Sequence, residues 1–364
     1  MASKLDISAL TINTEEARSI GEAIFEKLLV VGKLAQYHEI QTGIEYDTQI
    51  PFVGTLGLVG KSISGCGTAA SANQIPLTEK TWTPKRVGDR LEHCEADMNA
   101  LLKIFNNRKR TTPDFYNQID SEAMGVVIAR AEQALEQMLE RLAWFGDTAA
   151  DIISGGGSYG NGFAADMPYY TPLDGLWKQI FAEIPNADTY HVNIDVNEGA
   201  SYAAQNLGPD DLADGYARDI FKQMINKRDA RFKQAVEMGV DQVIHATSAL
   251  VENYVNWLED QSLAFTLDRA EDGTLASIRY RNTTIIARYD WDVHIAKQDT
   301  GTVINYPHRA LLTTKENIPF GTPSEAELMQ IKSFYYEYGQ VNVIDFLDLF
   351  DVKFLEDYMA VAAY

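Results

Sequence analysis

The chain has 364 residues, of which 46% are apolar, and its 52 acidic residues outnumber its 31 basic residues to give a net charge of −21. A chain of this length and composition can bury one large core or two smaller ones. No apolar run is long enough to span a membrane, and the first residues lack the apolar core of a secretion signal. Two cysteines are too few for a disulfide framework, which indicates a reducing compartment.

The charge is unevenly distributed along the chain. Residues 1–112 hold 13 basic and 13 acidic residues, so residues 113–364 carry the whole net charge. One interpretation is a solvated acidic surface that favours solubility; the other is that a neutral, locally basic first third contacts the acidic remainder of another copy. Both interpretations argue against tight nucleic-acid binding through a basic face.

The first 80 residues predict two segments that lack a core of their own. Asn13 and Glu16 have the spacing of a capping box, and a helix with one apolar face follows to about residue 31. Residues 36–82 are rich in glycine, serine, threonine and β-branched residues, which predicts a two-stranded excursion or a functional loop rather than a helix. Because an isolated two-stranded ribbon is marginally stable in water, this excursion needs a partner surface.

Two helices are predicted between residues 84 and 146. The first covers 84–105 and is followed by a basic cluster, Arg108, Lys109 and Arg110. Apolar residues at three- and four-residue steps predict one long helix over 119–146, ended by Gly146 in a left-handed conformation. The opposite face of this helix is expected to contact solvent and carries an acidic stripe, Glu132, Glu136 and Glu140.

Residues 170–322 alternate helices and strands and are predicted to form a second, mixed unit. The patterns predict helices at 172–183, 209–226 and 248–261, strands at 190–196, 240–247, 283–289 and 309–314, and a hairpin that turns at Asp272 and Gly273. The last segment begins with a capping box at Ser324 and Glu327. Because this segment is rich in apolar and aromatic residues, it is expected to pack against another part of the protein, the long helix.

The sequence lacks the motifs that carry common catalytic chemistry. It has no nucleophile elbow, phosphate-binding loop, zinc-protease motif or paired CxxC, and its six histidines are scattered singly. Gly155, Gly157 and Gly160 have the spacing of a dinucleotide-binding loop, but no helix is predicted after them. We therefore interpret this stretch as a flexible turn.

Two further clusters of polar residues are weak candidates for a metal site. Asp195, Asn197 and Glu198 lack the later ligands of a calcium loop. Asp290, Asp292 and His294 alternate, which indicates a partly exposed strand in preference to a metal or acid/base cluster. No metal, cofactor or catalytic residue is predicted.

Four stretches and the order of the elements carry a resemblance to a known family. The stretches are LTEKTWTPKRVGDRLEHCEADMNALL at 77–102, YDWDVHIAK at 289–297, HRALLTTKENIPFGT at 308–322 and KFLEDYMAVAAY at 353–364. The long helix ends in Phe145-Gly146-Asp147 and a glycine-rich turn follows it. In these features the chain resembles the major capsid proteins of tailed bacteriophages with the Hong Kong 97-like fold, including those of Bacteroidetes-infecting and crAss-like phages.

The resemblance implies an α+β fold whose parts cover the whole chain. These are an N-terminal arm at 1–36, an extended two-stranded loop at 37–80, a peripheral domain at 81–168 with a spine helix at 119–146, a mixed α/β axial domain at 169–322, and a return segment to the peripheral domain at 323–364. Only about a dozen residues precede the first predicted helix, so scaffolding is expected from a separate protein.

The implied function is structural rather than enzymatic. Copies of the chain would assemble into pentamers and hexamers of an icosahedral head around double-stranded DNA, a virion component made in the bacterial host cytoplasm. The implied partners are a portal, a separate scaffolding protein and decoration proteins, with no cofactor and no membrane. The alternatives are an encapsulin-like shell for a cargo enzyme and, in another class, a soluble α/β enzyme with its site in 170–322.

The predicted contact between subunits joins the acidic stripe of the long helix to basic residues of the first third. These basic residues are Lys61, Lys80, Lys85, Arg86, Arg108, Lys109 and Arg110. Packaged DNA is expected to touch the shell weakly, because tight binding needs many cations that each neutralise a phosphate. The competing interpretation is an inner basic patch formed by Lys222, Lys227, Arg228, Arg231 and Lys233.

Overall fold

The structure is a computed structural model that describes residues 34–45, 48–53, 77–94, 122–155, 159–261, 278–298, 305–323, 330–336 and 341–364. Its α-helices in these ranges are α1 Leu34–Tyr37, α2 Glu122–Phe145, α3 Leu176–Glu183, α4 Tyr202–Gln205, α5 Tyr216–Lys227, α6 Ala230–Glu237, α7 Ser248–Asp260 and α8 Tyr289–Ile295. The strands are β1 Ile40–Thr42, β2 Gln49–Val53, β3 Leu77–Thr81, β4 Lys85–Cys94, β5 His191–Val192, β6 Val243–Ala246, β7 Ile278–Tyr280, β8 Thr283–Ala287, β9 Ala310–Thr313, β10 Phe320–Thr322, β11 Gln330–Tyr336, β12 Val341–Val352 and β13 Val361–Ala363. Short 3₁₀ helices cover Ile153–Gly155, Asn161–Tyr169, Asp195–Glu198, Lys315–Asn317 and Asp357–Met359.

The long helix predicted from the apolar period is confirmed as α2. Leu135, Leu139 and Leu142 are at most 3% exposed and form its buried face. The interpretation of Gly146 is wrong, because this residue is not among those with positive φ. A Cβ there would lie 2.5 Å from the carbonyl oxygen of Leu173, so glycine allows the end of α2 to approach the chain that leads into α3.

The helix predicted at 84–105 is wrong over its described part, which is strand β4. β4 pairs with β12 in antiparallel register from Lys85 opposite Phe350 to Cys94 opposite Val341. β11 and β10 also pair antiparallel with β12, at residues 341–347 and 351–352, and β1 pairs with β10 in parallel. The partner strand lies more than 200 residues away, so local periodicity did not reveal it.

The predicted two-stranded excursion is confirmed at its base and lies otherwise outside the described residues. β2 and β3 pair antiparallel from Gln49 opposite Thr81 to Val53 opposite Leu77. They form a separate two-stranded sheet among the described strands. The predicted arm helix and the capping box at 324–327 also lie outside the described residues.

The mixed unit is built on a six-stranded sheet in the order β5-β13-β9-β6-β8-β7. Leu311 of β9 belongs to one buried cluster with α2 and α3, and Leu312 belongs to another with α5 and α7. This alternation buries both faces of the sheet. The sheet therefore separates two cores, one shared with the spine helix and one internal to the unit.

Most elements predicted for residues 170–322 are confirmed with shorter bounds, as α3, α5, α7, β5, β6, β8 and β9. The strand predicted through Asp290 to His294 is wrong, because these residues form α8. The predicted turn at Asp272 and Gly273 lies outside the described residues, and β7 and β8 are joined by Arg281 and Asn282, which have positive φ. The chain end packs in the core that contains α2, but its last strand, β13, joins the six-stranded sheet.

Candidate functional site at the spine helix

A buried ion cluster joins the spine helix to the mixed unit. Arg288, which follows β8, is 1% exposed, and its guanidinium donates hydrogen bonds to Glu140 of α2 and to Asp290 of α8. The two bonds to Asp290 measure 2.9 and 2.6 Å. Glu140 was predicted to face solvent in the acidic stripe, which is wrong: it is 8% exposed and its charge is matched within the chain.

The charges of this cluster depend on one another. Burial lowers the pKa of Arg288, but the carboxylates of Glu140 and Asp290 outweigh burial and raise that pKa above its ordinary value. Burial raises the pKa of Glu140, and the guanidinium opposes this shift. Each charge is tolerated because the other is present, which is the usual condition for a buried ion pair.

Aromatic rings enclose the same cluster. The Arg288 guanidinium carbon lies 4.2 Å from the ring centroid of Tyr37 and 5.1 Å from that of Trp144. Trp144 also contacts the rings of His38 and His245 at 5.4 and 5.5 Å. These residues come from α1 and the chain after it, from α2 and from β6. The cluster therefore ties the first described segment, the spine helix and the central sheet together.

Both histidines of the cluster are buried and neutral. Burial lowers the pKa of His38 to about 3 and that of His245 well below its ordinary value, and Arg288 contributes to both shifts. His38 Nδ1 makes a 2.8 Å hydrogen bond to the carbonyl oxygen of Ile318. Protonation of either ring would place a second cation beside Arg288.

A second buried guanidinium fixes the loop before β9. Arg309 is 0% exposed and donates to the carbonyl oxygens of Tyr306 and Asn305 and to Gln298 Oε1 at 2.6–2.8 Å. Its guanidinium carbon lies 5.3 Å from the ring centroid of Trp177. Burial lowers the pKa of Arg309 to about 9. The sequence analysis did not predict a role for Arg288 or Arg309. The feature that could have indicated one is the position of each arginine next to an apolar strand.

The root of the β2–β3 ribbon is held to the body by polar and apolar contacts. Lys80 donates to Glu183 of α3 at 2.5 Å and to the carbonyl oxygen of Phe354 at 2.6 Å. Trp82 is 1% exposed, and Gly321 leaves room for its ring, since a Cβ at residue 321 would lie 2.8 Å from it. The end of β3 is therefore attached to the body by contacts within one chain.

A groove lies between the spine helix and strand β4. It has a volume of about 310 Å³, and its lining includes Val87, Met138 and Leu142 together with Arg86 and Arg141. This groove is distinct from a cleft of about 430 Å³ at the ribbon root, which is lined by Lys80 and Lys85 among others.

Comparison with known proteins identifies the fold. No family model and no curated protein matches the sequence. The capsid of Ralstonia phage GP4 superposes with a TM-score of 0.50 at 11% identity, over 90% of this chain and 86% of that one. The chain has a phage capsid fold.

Two other solved structures have similar coverage. The chain of Gordonia phage Cozz has a TM-score of 0.49 and 11% identity, over 91% of this chain and 85% of that one. The SrpI encapsulin from Synechococcus elongatus has a TM-score of 0.46 and 9% identity, over 98% and 91%. The superposition on the Ralstonia phage GP4 capsid, at 11% identity, concerns the fold alone, and at that level it agrees with the resemblance inferred from the sequence.

The residues of the predicted inter-subunit contact have different environments in the structure. Lys80 is engaged by Glu183 of its own chain, whereas Lys85 and Arg86 are exposed on β4. Glu136 is half-buried and already has an interaction within the chain. Glu132 lies on α2, but its side chain is outside the described residues, as are Lys61, Arg108, Lys109 and Arg110.

The polar triplets found in the sequence form no common site in the capsid fold. On α8, Asp290 binds Arg288, Asp292 Oδ2 accepts the backbone N–H of Ser248 at 3.3 Å, and His294 bonds to the hydroxyl of Tyr170 at 2.8 Å.

The calcium-like triplet is divided in the same way. The Tyr216 hydroxyl donates to Asp195, the Asn197 side chain bonds to the backbone of His308, and Glu198 accepts from Asn193. The turn with glycine spacing runs into the 3₁₀ helix Asn161–Tyr169, and residues 156–158 are outside the described set. Across the described ranges no cluster of metal-binding residues is found and no helix has the length and apolar character to cross a membrane.

Proposed function

We propose that this chain is the major capsid protein of a tailed bacteriophage, which assembles into pentamers and hexamers of an icosahedral head. The observation that carries the proposal is the phage capsid fold over 90% of the chain. The ribbon supports it independently. A two-stranded ribbon that pairs with no third strand in the described part of the chain is marginal alone, and a neighbouring subunit is the natural supplier of the missing surface.

In this proposal each region has an assembly role. Residues 1–36 are the N-terminal arm and 37–80 the extended loop. Residues 81–168 and 323–364 form the peripheral domain around the spine helix, and 169–322 form the axial domain, whose sheet also takes up strand β13 from the chain end. The partners are further copies of the chain, a portal, a separate scaffolding protein and decoration proteins. The protein acts as a structural component of the virion, without a catalytic site or cofactor.

We further propose that residues of β4 contact the acidic stripe of a neighbouring subunit. Lys85 and Arg86 are the exposed cations of this set on β4, and they would meet Glu132 and also Glu136, which has an interaction within its own chain as well; Lys61, Arg108, Lys109 and Arg110 are candidates outside the described residues. Exposed pairs contribute about 0.2–1 kcal/mol each. Replacement of Glu132 and Glu136 by lysine should therefore raise the salt dependence of assembly, and normal particles at low salt would contradict this contact.

The inner wall is expected to bind DNA weakly. Among the basic residues at 222–233, Lys227 donates to the carbonyl oxygen of His191, Arg228 to that of Ile225, and Arg231 to Asp229. The pair with Asp229 neutralises Arg231, and the bonds to carbonyl oxygens direct the other two cations toward the backbone of their own chain. A mobility-shift titration with duplex DNA near physiological salt should give no complex below micromolar protein; sub-micromolar affinity with a steep salt slope would support the inner basic patch instead.

The proposed function is tested with the full-length chain. Negative-stain microscopy and mass photometry of the purified protein should show closed shells or hexamers and pentamers as its concentration rises. A compact monomer whose melting temperature shifts with a small ligand would indicate the alternative of an α/β enzyme. Shells that enclose a co-purified protein in place of DNA would indicate an encapsulin-like compartment.

A further inference from the structure

The groove between α2 and β4 combines the features of a binding site for an acidic segment. Its floor is apolar, with Val87, Met138 and Leu142 each at most 8% exposed. Tyr169 at its rim is a large apolar side chain that remains 49% exposed. Buried apolar floors with an aromatic and an arginine at the edge are typical of the centres of protein interfaces.

The Arg141 side chain in this groove is held in place, but not all of its hydrogen-bond donors have an acceptor within the described ranges. Arg141 Nε donates to the carbonyl oxygen of Tyr169 at 3.2 Å, and the guanidinium carbon lies 5.9 and 5.7 Å from the ring centroids of Tyr169 and Tyr170. Among its described hydrogen bonds only Nε is used, so the Nη groups keep donors for a ligand. A guanidinium fixed in this way loses little entropy when it binds a carboxylate.

The groove has a positive charge, whereas the chain as a whole has a negative net charge. Among the described residues its lining contains two cations, Arg86 and Arg141, and one carboxylate, Asp89, whose Oδ1 accepts the backbone N–H of Arg90 at 2.7 Å. Residues 113–364 of every copy carry the whole net charge of −21. Residues 54–76 of the excursion contain no acidic residue, so charge does not favour them as the occupant.

We propose that this groove binds an acidic segment of a second copy of the chain, which inserts an apolar side chain beside Arg141 and places a carboxylate on Arg86 and Arg141. This inference rests on the proposed function, and it adds Arg141 and the apolar floor of the groove to the contact between β4 and the acidic stripe, with which it shares Arg86. In it the basic groove and the acidic remainder of the chain are complementary, so identical copies bind one another.

Ala134→Trp tests the groove by filling it. Ala134 is exposed on α2 and lines the groove, so an indole there blocks the site without entering the core. The critical concentration for assembly should rise at least about tenfold, which corresponds to about 1.4 kcal/mol per contact. Gln137→Trp, on an exposed position of the same helix outside the groove lining, should assemble like the wild type.

Arg86→Glu tests the charge independently of the apolar floor. It should weaken assembly at low salt, whereas Lys222→Glu, the same change of charge at an exposed position of α5, should not. A photo-crosslinking residue at position 134 should capture a peptide of another copy that contains Asp or Glu. Capture of residues 54–76 would overturn the assignment.

The outcomes separate this inference from the proposed function. If the wild type forms no oligomer at any concentration, the proposed function fails. If the wild type assembles and Ala134→Trp or Arg86→Glu assembles equally well, the groove inference fails and the proposed function stands. Equal loss in Ala134→Trp and Gln137→Trp would also overturn the inference, because it would show that the helix surface in general, and not the groove, is needed.

Discussion

Consecutive residues of the spine helix, Glu140 and Arg141, belong to two guanidinium clusters of opposite character. In the first, Arg288 is buried against Glu140 and Asp290, and its charge is matched within the chain. In the second, Arg141 is half-buried, donates to a carbonyl oxygen and lines an open groove. The charge of Arg288 is matched within one subunit, whereas we propose that Arg141 binds a carboxylate of another.

This difference predicts how the two clusters respond to change. Loss of a matched buried charge exposes its partner to an apolar environment, so the cost falls on folding. Loss of a half-buried cation leaves no buried orphan, so the cost falls on association. Substitutions at Arg288 and Arg141 should therefore separate stability from assembly.

The largest effect is expected from Arg288→Met. This change leaves Glu140 buried beside apolar atoms, and breaking one partner of a buried pair costs about 3–5 kcal/mol of unfolding free energy. Urea unfolding of the unassembled subunit measures it. Arg141→Met is the matched control and should cost about 1 kcal/mol or less.

The double variant Arg288→Met/Glu140→Leu distinguishes the ion pair from packing. It removes both buried charges, so it should recover most of the stability lost in Arg288→Met. A double variant as unstable as the single one would show that the Arg288 side chain acts through its contacts with the aromatic rings and not through its charge.

The ribbon root is another place where the contacts are complete within one chain, and Gly321→Ala is expected to disrupt it. The added Cβ would lie 2.7 Å from Ile44 Cδ1 and 2.8–2.9 Å from ring atoms of the buried Trp82. Overpacking of this kind costs about 1–3 kcal/mol. Gly162→Ala is the control, since a Cβ there meets nothing within 4 Å. Equal unfolding midpoints for the two variants would contradict a tightly packed root.

The sequence predicted the parts of the fold that local patterns determine. The period of three and four identified α2, and turn-bounded apolar runs identified β6, β8 and β9. The same reasoning failed at β4, where Val87 and Leu91 are four residues apart and suit a helix as well as a strand. Only pairing with β12 decides between them, and a single sequence does not display that pairing.

The ion clusters were beyond prediction for a related reason. Asp290, Asp292 and His294 alternate, but Trp291 and Ile295, buried at 0% and 2%, have the four-residue spacing of a helix that was overlooked. Glu140 was placed in a solvated stripe because it lies opposite the apolar face of α2. The prediction failed because α2 is buried on more than one face toward its end, where Arg288 approaches. Which carboxylate meets a distant arginine depends on tertiary packing.

A smaller effect is expected from acid at His38, beside Arg288. The folded-state pKa of His38, about 3, lies below its unfolded value near 6.5, so its contribution to stability is complete above pH 6.5 and is lost as the pH falls toward 3. At pH 5 the loss from this residue is about 2 kcal/mol.

The charged groups that act on His38 are Arg288, Asp290 and Lys315. His38→Gln keeps a donor for the carbonyl oxygen of Ile318 and removes the titration. Its unfolding free energy should therefore fall less than that of the wild type between pH 7.5 and pH 5. The groove variant Ala134→Trp should keep the wild-type slope, and a slope reduced equally in both variants would contradict the assignment to His38.

The smallest effect is expected at Asp292 of α8, two residues after Asp290. Its contribution to stability changes with pH in the opposite direction to that of His38. Burial raises the pKa of Asp292 to about 6, and the hydrogen bond from Ser248 opposes that shift only in part. Because the folded protein holds this proton more tightly than the unfolded chain, the contribution of Asp292 to stability falls as the pH rises from about 4 to 6. Asp292→Asn removes the ionisation and retains an acceptor for the Ser248 N–H. The variant should gain about 1 kcal/mol over the wild type at pH 7.5, after allowance for partial solvent exposure, and about 0.2 kcal/mol at pH 4, where the unfolded chain is only partly ionised at this residue. Urea unfolding at the two pH values measures the difference, and an equal gain at both would show that the substitution acts through packing rather than through charge.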